Sequence, residues 1–140
     1  MGRRVALIRG INVGRAKRIA MADLRALVEN LGYRDVRTLL NSGNVVFTTP
    51  PAVRGVAAAR IEKAMSARLG ISARVTVLTA AELAAAVARN PLGKVAHDPS
   101  RMLVAVLRDP GDRSRLAPLA RQDWTPGALD TTAGAAGRLD

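Results

Sequence analysis

The sequence has no cysteine and a single histidine, His97. The first absence excludes disulfide scaffolds, thiolate metal centres and cysteine nucleophiles. The second leaves little room for imidazole chemistry, because His97 stands beside Asp98-Pro99 and reads as a surface-loop residue. A triad drawn from Ser42, His97 and some aspartate has no supporting spacing. Aromatics are equally scarce. Tyr33, Phe47 and Trp124 are the whole complement, which is almost no stacking platform for single-stranded nucleic acid. Trp124 reads as a packing anchor rather than a binding residue. No apolar run approaches the roughly 20 residues that a membrane-spanning helix needs, and Arg9 interrupts the first apolar stretch before a signal-peptide core forms. The 11 acidic residues are dispersed, with no pair or cluster that points to a metal or to acid–base catalysis. The expectation is a soluble cytoplasmic protein with no cofactor, no bound metal, no catalytic constellation and no membrane partner.

What the chain does have is positive charge. It carries 22 basic residues and a formal net charge of +11. Arg3, Arg4, Arg9, Arg15, Lys17 and Arg18 all precede the first acid, Asp23. Such a field draws in polyanions and speeds their encounter. Yet 19 of the 22 bases are arginine in an alanine-rich chain, a composition that coding bias alone can produce. Weak, salt-sensitive adhesion to nucleic acid is expected ahead of sequence-specific recognition.

The apolar pattern gives an order of elements. Val5 to Ile8 suits a buried strand, and a glycine-bearing loop from Gly10 to about Ala20 follows. Met21, Leu24, Leu27, Val28 and Leu31 then recur at helical spacing, with Gly32 placed to stop the helix. Val36 to Leu40 and Val45 to Thr49 read as strands of a hairpin through Asn41-Ser42-Gly43-Asn44. After Pro50-Pro51 a second helix is expected from about Val53 to Leu69, closed by Gly70, and a fourth strand from Ala73 to Leu78. The fold class is α+β, a ferredoxin-like β-α-β-β-α-β arrangement over residues 1–78. A second, smaller α/β lobe is expected over residues 79–126. Thr79-Ala-Ala-Glu82 there has the spacing of a capping box for a third helix ending near Asn90-Pro91. Met102 to Leu107 reads as a fifth strand, Pro110-Gly111 as a turn, and about Ser114 to Ala120 as a short helix. Residues 127–140 are expected to form a poorly ordered tail, and no apolar periodicity marks a strand beyond Arg121.

This topology brings two loops to one end of the sheet, because strands 1 and 2 run parallel with strand 3 reversed between them. The loop Arg9-Gly10-Ile-Asn12-Val-Gly14-Arg15 then meets the hairpin Asn41-Ser42-Gly43-Asn44. Backbone N–H groups at Gly10 and Gly14 let an anion approach closely, with Arg9 and Arg15 as charged clamps. The loop is neither a Walker loop nor a dinucleotide-binding loop. The alternative stays open that the glycines only allow a tight turn, and that Asn12, Asn41 and Asn44 pin neighbouring backbone.

Several short motifs occur together in order: Ala6-Leu-Ile-Arg-Gly-Ile-Asn-Val-Gly14, Met21-x-x-Leu24, Leu31-Gly-Tyr-x-x-Val-Arg-Thr38 and Asn41-Ser-Gly-Asn-Val-Val-Phe47. With them the chain resembles the bacterial domain of unknown function 1697 family over about residues 4–126. The resemblance implies a small cytoplasmic protein with a ferredoxin-like first part and a second α/β lobe, and it implies no activity. Two departures stand out. Arg15 replaces a second glycine usual in the family loop, which makes the loop more cationic. Family members also usually continue with further strand-like sequence, so the second lobe is expected to be incomplete, with an uncovered strand edge that invites a homodimer.

Three functional classes follow. One is a binding module for a small polar or anionic ligand at the two loops. A second is nucleic-acid association through the basic N-terminal face, and the third a structural interaction domain.

Overall fold

A computed structural model describes residues 2–12, 18–40, 43–53, 55–94, 98, 101–107, 110–125, 128–130 and 136–139. The chain divides into two compact units, Met1–Ala81 and Glu82–Asp140. Each is mixed α/β.

The first unit follows the order β1 (Gly2–Arg9), α1 (Met21–Asn30), β2 (Arg34–Leu39), β3 (Asn44–Thr49), α2 (Ala57–Leu69), β4 (Arg74–Thr79). The strands form one sheet in the order β2-β3-β1-β4, and every neighbouring pair is antiparallel. Strand alternation gives the sheet an apolar face toward the helices. Ala6 and Ile8 of β1, Val45 and Phe47 of β3 and Val75 of β4 are buried there. Leu24, Leu27 and Val28 of α1 and Ile61, Ala64 and Met65 of α2 are the helical halves of the same core. Phe47 lies at its centre, fully buried, with its ring 4.7 Å from that of Tyr33. Arg60 of α2 lies over the Tyr33 ring and donates to the Tyr33 hydroxyl at 3.0 Å and to the Leu31 carbonyl at 2.9 Å. One side chain thus joins α2 to the turn between α1 and β2.

Helix α1 stops where Gly32 takes a φ of +96°, its N–H returning to the Glu29 carbonyl at 2.9 Å. Helix α2 begins later than the apolar spacing suggests, at Ala57 instead of about Val53. The Pro50–Val53 turn is closed by a 3.0 Å hydrogen bond, and Gly55 takes a φ of +99°, which no helical residue adopts.

The second unit contains α3 (Ala80–Ala88, which begins at the boundary), β5 (Met102–Ala105), α4 (Ala117–Ala120), β6 (Ala128–Asp130) and β7 (Ala136–Leu139). Its three strands pair antiparallel in the order β5-β7-β6. Strand β5 is shorter than Met102–Leu107. The short helix resolves into a 3-10 segment, Pro110–Leu116, followed by one α-turn that accepts Pro118 in its first positions. Strands β6 and β7 carry no sequence signal, being short and rich in Ala and Gly, and are defined by backbone pairing to each other and to β5. The Trp124 indole N–H donates to the Leu119 carbonyl at 2.7 Å, tying the segment after α4 back to it. Among the described residues of this unit only Leu92 is buried. No helix among the described residues is long and apolar enough to cross a membrane.

Candidate functional site

The two loops singled out in the sequence meet at the end of β1. The Ile8 N–H donates to the Gly43 carbonyl at 3.0 Å, and Leu7 is the cross-strand partner of Asn44. Ile11, almost fully buried, lies under the hairpin: a Cβ placed on Gly43 would come 2.8 Å from its Cδ1 and 3.0 Å from the Ile8 carbonyl oxygen. Gly43 is therefore required twice, by a φ of +91° and by the closeness of β1. Gly10 is required once, by its φ of +85°, because the space around it is open.

Of the three asparagines in the two loops, the two that are described, Asn12 and Asn44, bond to nearby backbone. Asn12, itself at a φ of +52°, clamps the loop: its Nδ2 donates to the Ile19 carbonyl at 3.1 Å and its Oδ1 accepts from the Ile19 N–H at 2.7 Å. Asn44 Nδ2 donates to the Leu39 carbonyl at 3.4 Å across the hairpin. These bonds hold the loop shape, as short amide side chains do in turns. Gly14, Arg15, Asn41 and Ser42 lie outside the described residues.

Arginine supplies the charge. Arg9, at the last position of β1, is exposed and stands directly opposite Arg74, the exposed first residue of β4. Like charges facing one another across a strand pair repel, and neither guanidinium has an ion pair or hydrogen bond among the described residues. Arg74 has no motif around it and escapes a reading of local sequence. Only the antiparallel pairing of the first and fourth strands, which starts β4 where β1 ends, brings it to Arg9. The site thus gathers two guanidinium groups and the loop backbone around Gly10. Of its residues Arg9, Gly10, Asn12, Gly43, Asn44 and Arg74, none is a carboxylate or imidazole, so the chemistry they offer is charge and hydrogen bonding.

The same face of the sheet, turned away from the helices, continues this pattern. Register places Arg3 opposite Thr48, Arg34 also opposite Thr48 from the other side, and Arg37 opposite Val46. With Arg9 and Arg74, five arginines share that face.

The chain is similar in fold to a conserved bacterial protein, SP0830 from Streptococcus pneumoniae. The two are 22% identical with a TM-score of 0.79, over 100% of this chain and 77% of that one. No match is found among curated proteins. The family model described as a protein of unknown function (DUF1697) matches residues 1–135. The resemblance read from the four ordered motifs therefore holds over nearly the whole sequence, and the chain belongs to the DUF1697 family.

Proposed function

We propose that the protein is a binding module for a small anionic ligand, seated at the end of the sheet where β1 leaves for the Gly10 loop. The observation that carries this reading is the unrelieved opposition of Arg9 and Arg74. An anion bound between two guanidinium groups converts mutual repulsion into two charge-assisted contacts. Gly10 leaves room for close approach, and Asn12 and Asn44 keep the two loops in place. The β-α-β-β-α-β order with sheet order β2-β3-β1-β4 supports a ferredoxin-like assignment for the first unit, with the second unit as a separate small lobe.

The test is thermal unfolding against nucleotides, phosphorylated metabolites and short RNA at physiological salt. A ligand at 100 times its Kd stabilises the fold by about 2.7 kcal/mol, a shift of roughly 11–22 °C for a unit of this size. Arg9→Ala and Arg74→Ala should each remove the shift. A ligand whose stabilisation survives both substitutions overturns the proposal.

A second reading has its own observation. Arg3, Arg9, Arg34, Arg37 and Arg74 on one sheet face form a surface for a phosphate backbone, with Asp35 as the acid beside Arg3 and Arg37 in a depression of about 240 Å³. Binding of RNA through this face would fall steeply with salt. A small-anion site held by two arginines would show a much shallower dependence.

A further inference from the structure

We infer a second anion site, for a phosphate monoester or similar small oxyanion, at the opposite end of the first unit's sheet and on its helix side. A pocket of about 300 Å³ opens there, lined by Arg4, Thr49, Val77 and the start of α2 from Gly55 to Ala58. That volume is at the lower end of the range for small-molecule sites.

Three independent features converge on it. The Thr49 hydroxyl oxygen is buried and has no hydrogen-bond partner among the described residues. Buried polar groups are nearly always satisfied, and leaving one unpaired costs about 1–3 kcal/mol. Arg4 is half-buried, and its guanidinium makes no hydrogen bond or ion pair among the described residues. It lies over Gly2, within 3.7–4.0 Å of where a Cβ would stand on that residue, and Gly2 is the cross-strand partner of Thr49. The unpaired cation and the unpaired hydroxyl are therefore neighbours. The third feature is the N-terminus of α2, thirteen residues long. Its N-cap residue is Val56, which has no side chain able to cap, and its first turn holds no acid. The residues that carry its first N–H groups and the positive end of its dipole line the pocket, and no side chain caps them among the described residues.

An oxyanion supplies what all three lack. Its oxygens accept from the Arg4 guanidinium and the backbone N–H groups of Ala57 and Ala58, and from the Thr49 hydroxyl once a χ1 rotation turns that buried group toward the pocket. Val56, Val77 and the alanine methyls provide an apolar wall for the organic part of an ester. This site shares no residue with the one at Arg9 and Arg74.

The experiment is a titration of the full-length protein with inorganic phosphate, phenyl phosphate and acetate, followed by amide NMR at about 0.15 M salt, where exposed charges are screened beyond roughly 8 Å. Saturable shifts at Gly55, Val56, Ala57 and Ala58 are expected with phosphate, tighter with phenyl phosphate, and weak with acetate. Arg4→Gln should weaken binding about tenfold, equivalent to about 1.4 kcal/mol. Thr49→Val should weaken it severalfold while leaving the melting temperature unchanged or raised, since it removes the unpaired hydroxyl at constant shape. Absence of shifts at Gly55–Ala58, or the same affinity in Arg4→Gln and Thr49→Val as in the native chain, overturns the inference. Shifts confined to Gly10, Gly43 and Asn44 would also overturn it while supporting the site at the other end of the sheet.

Discussion

Replacing Gly43 by alanine tests the packing of the two loops, and Gly10→Ala is its internal control. The two glycines have almost the same backbone conformation, with φ of +91° and +85°. Each substitution therefore carries a similar conformational cost of about 1–2 kcal/mol for an L residue in left-handed space. They differ in what the new methyl meets. At Gly10 nothing lies within 4 Å, whereas at Gly43 the methyl comes 2.8 Å from Ile11 Cδ1, 3.0 Å from the Ile8 carbonyl oxygen and 3.1 Å from Ile8 Cβ. The tip of Ile11 can turn aside. The Ile8 backbone cannot, because β1 is paired on both sides, to β3 and β4. Overpacking of this kind adds about 1–3 kcal/mol, so Gly43→Ala should cost ~2–5 kcal/mol in total. Urea denaturation of both variants reads the difference directly as a change in midpoint at constant m-value. Equal destabilisation of the two variants, within about 0.5 kcal/mol, would refute the close approach of hairpin and first strand on which the candidate site is built.

Other substitutions probe other links. Phe47→Ala, at the fully buried centre of the core, should cost about 3–5 kcal/mol by denaturant midpoint. Asn12→Ala removes both bonds to Ile19 and should cost ~1–2 kcal/mol, with faster amide exchange at Ile19 as its local signature. Arg74→Glu turns the repulsion with Arg9 into a cross-strand attraction and should stabilise the fold by about 0.2–1 kcal/mol, while abolishing stabilisation by any ligand of the Arg9 site. In the second unit the Asp123 carboxylate accepts from the Thr125 hydroxyl and N–H, which hold its pKa below the ordinary aspartate value. Its contribution to stability is therefore present above the ordinary pKa and lost as pH falls through the lowered one. Thr125→Val should raise the Asp123 pKa in an NMR titration; an unchanged value would remove the hydroxyl as the cause.

Legibility from sequence followed the physics of each element. Helix α1 and its stop at Gly32 could be read because burial of Leu24, Leu27 and Val28 and a left-handed glycine leave periodic traces. The meeting of the Gly10 loop with the hairpin also followed, since it depends only on strand order. The start of α2 did not. Apolar residues continue through Val53 and Val56, and only the conformation of Gly55 reveals that the backbone is still turning there. Arg74 was invisible for a different reason: its partner is sixty-five positions away, and long-range register is not written in local composition. Thr49 and Arg4 belong to the same class, two unremarkable residues whose missing partners emerge only in three dimensions. Strands β6 and β7 escaped because alanine and glycine pair through their backbones without marking a face.

The order β5-β7-β6 has a consequence for how the second unit comes into being. Its middle strand, Ala136–Leu139, is also the last of the three to be synthesised. While the chain emerges from the ribosome, Met102–Ala105 and Ala128–Asp130 are both exposed before the segment that pairs with each has been made. The first unit can close on its own buried residues during that interval, but the second has to wait for translation to reach residue 139. Ending the chain at residue 135 would delete the strand between the other two, leaving β5 and β6 without the partner that joins them.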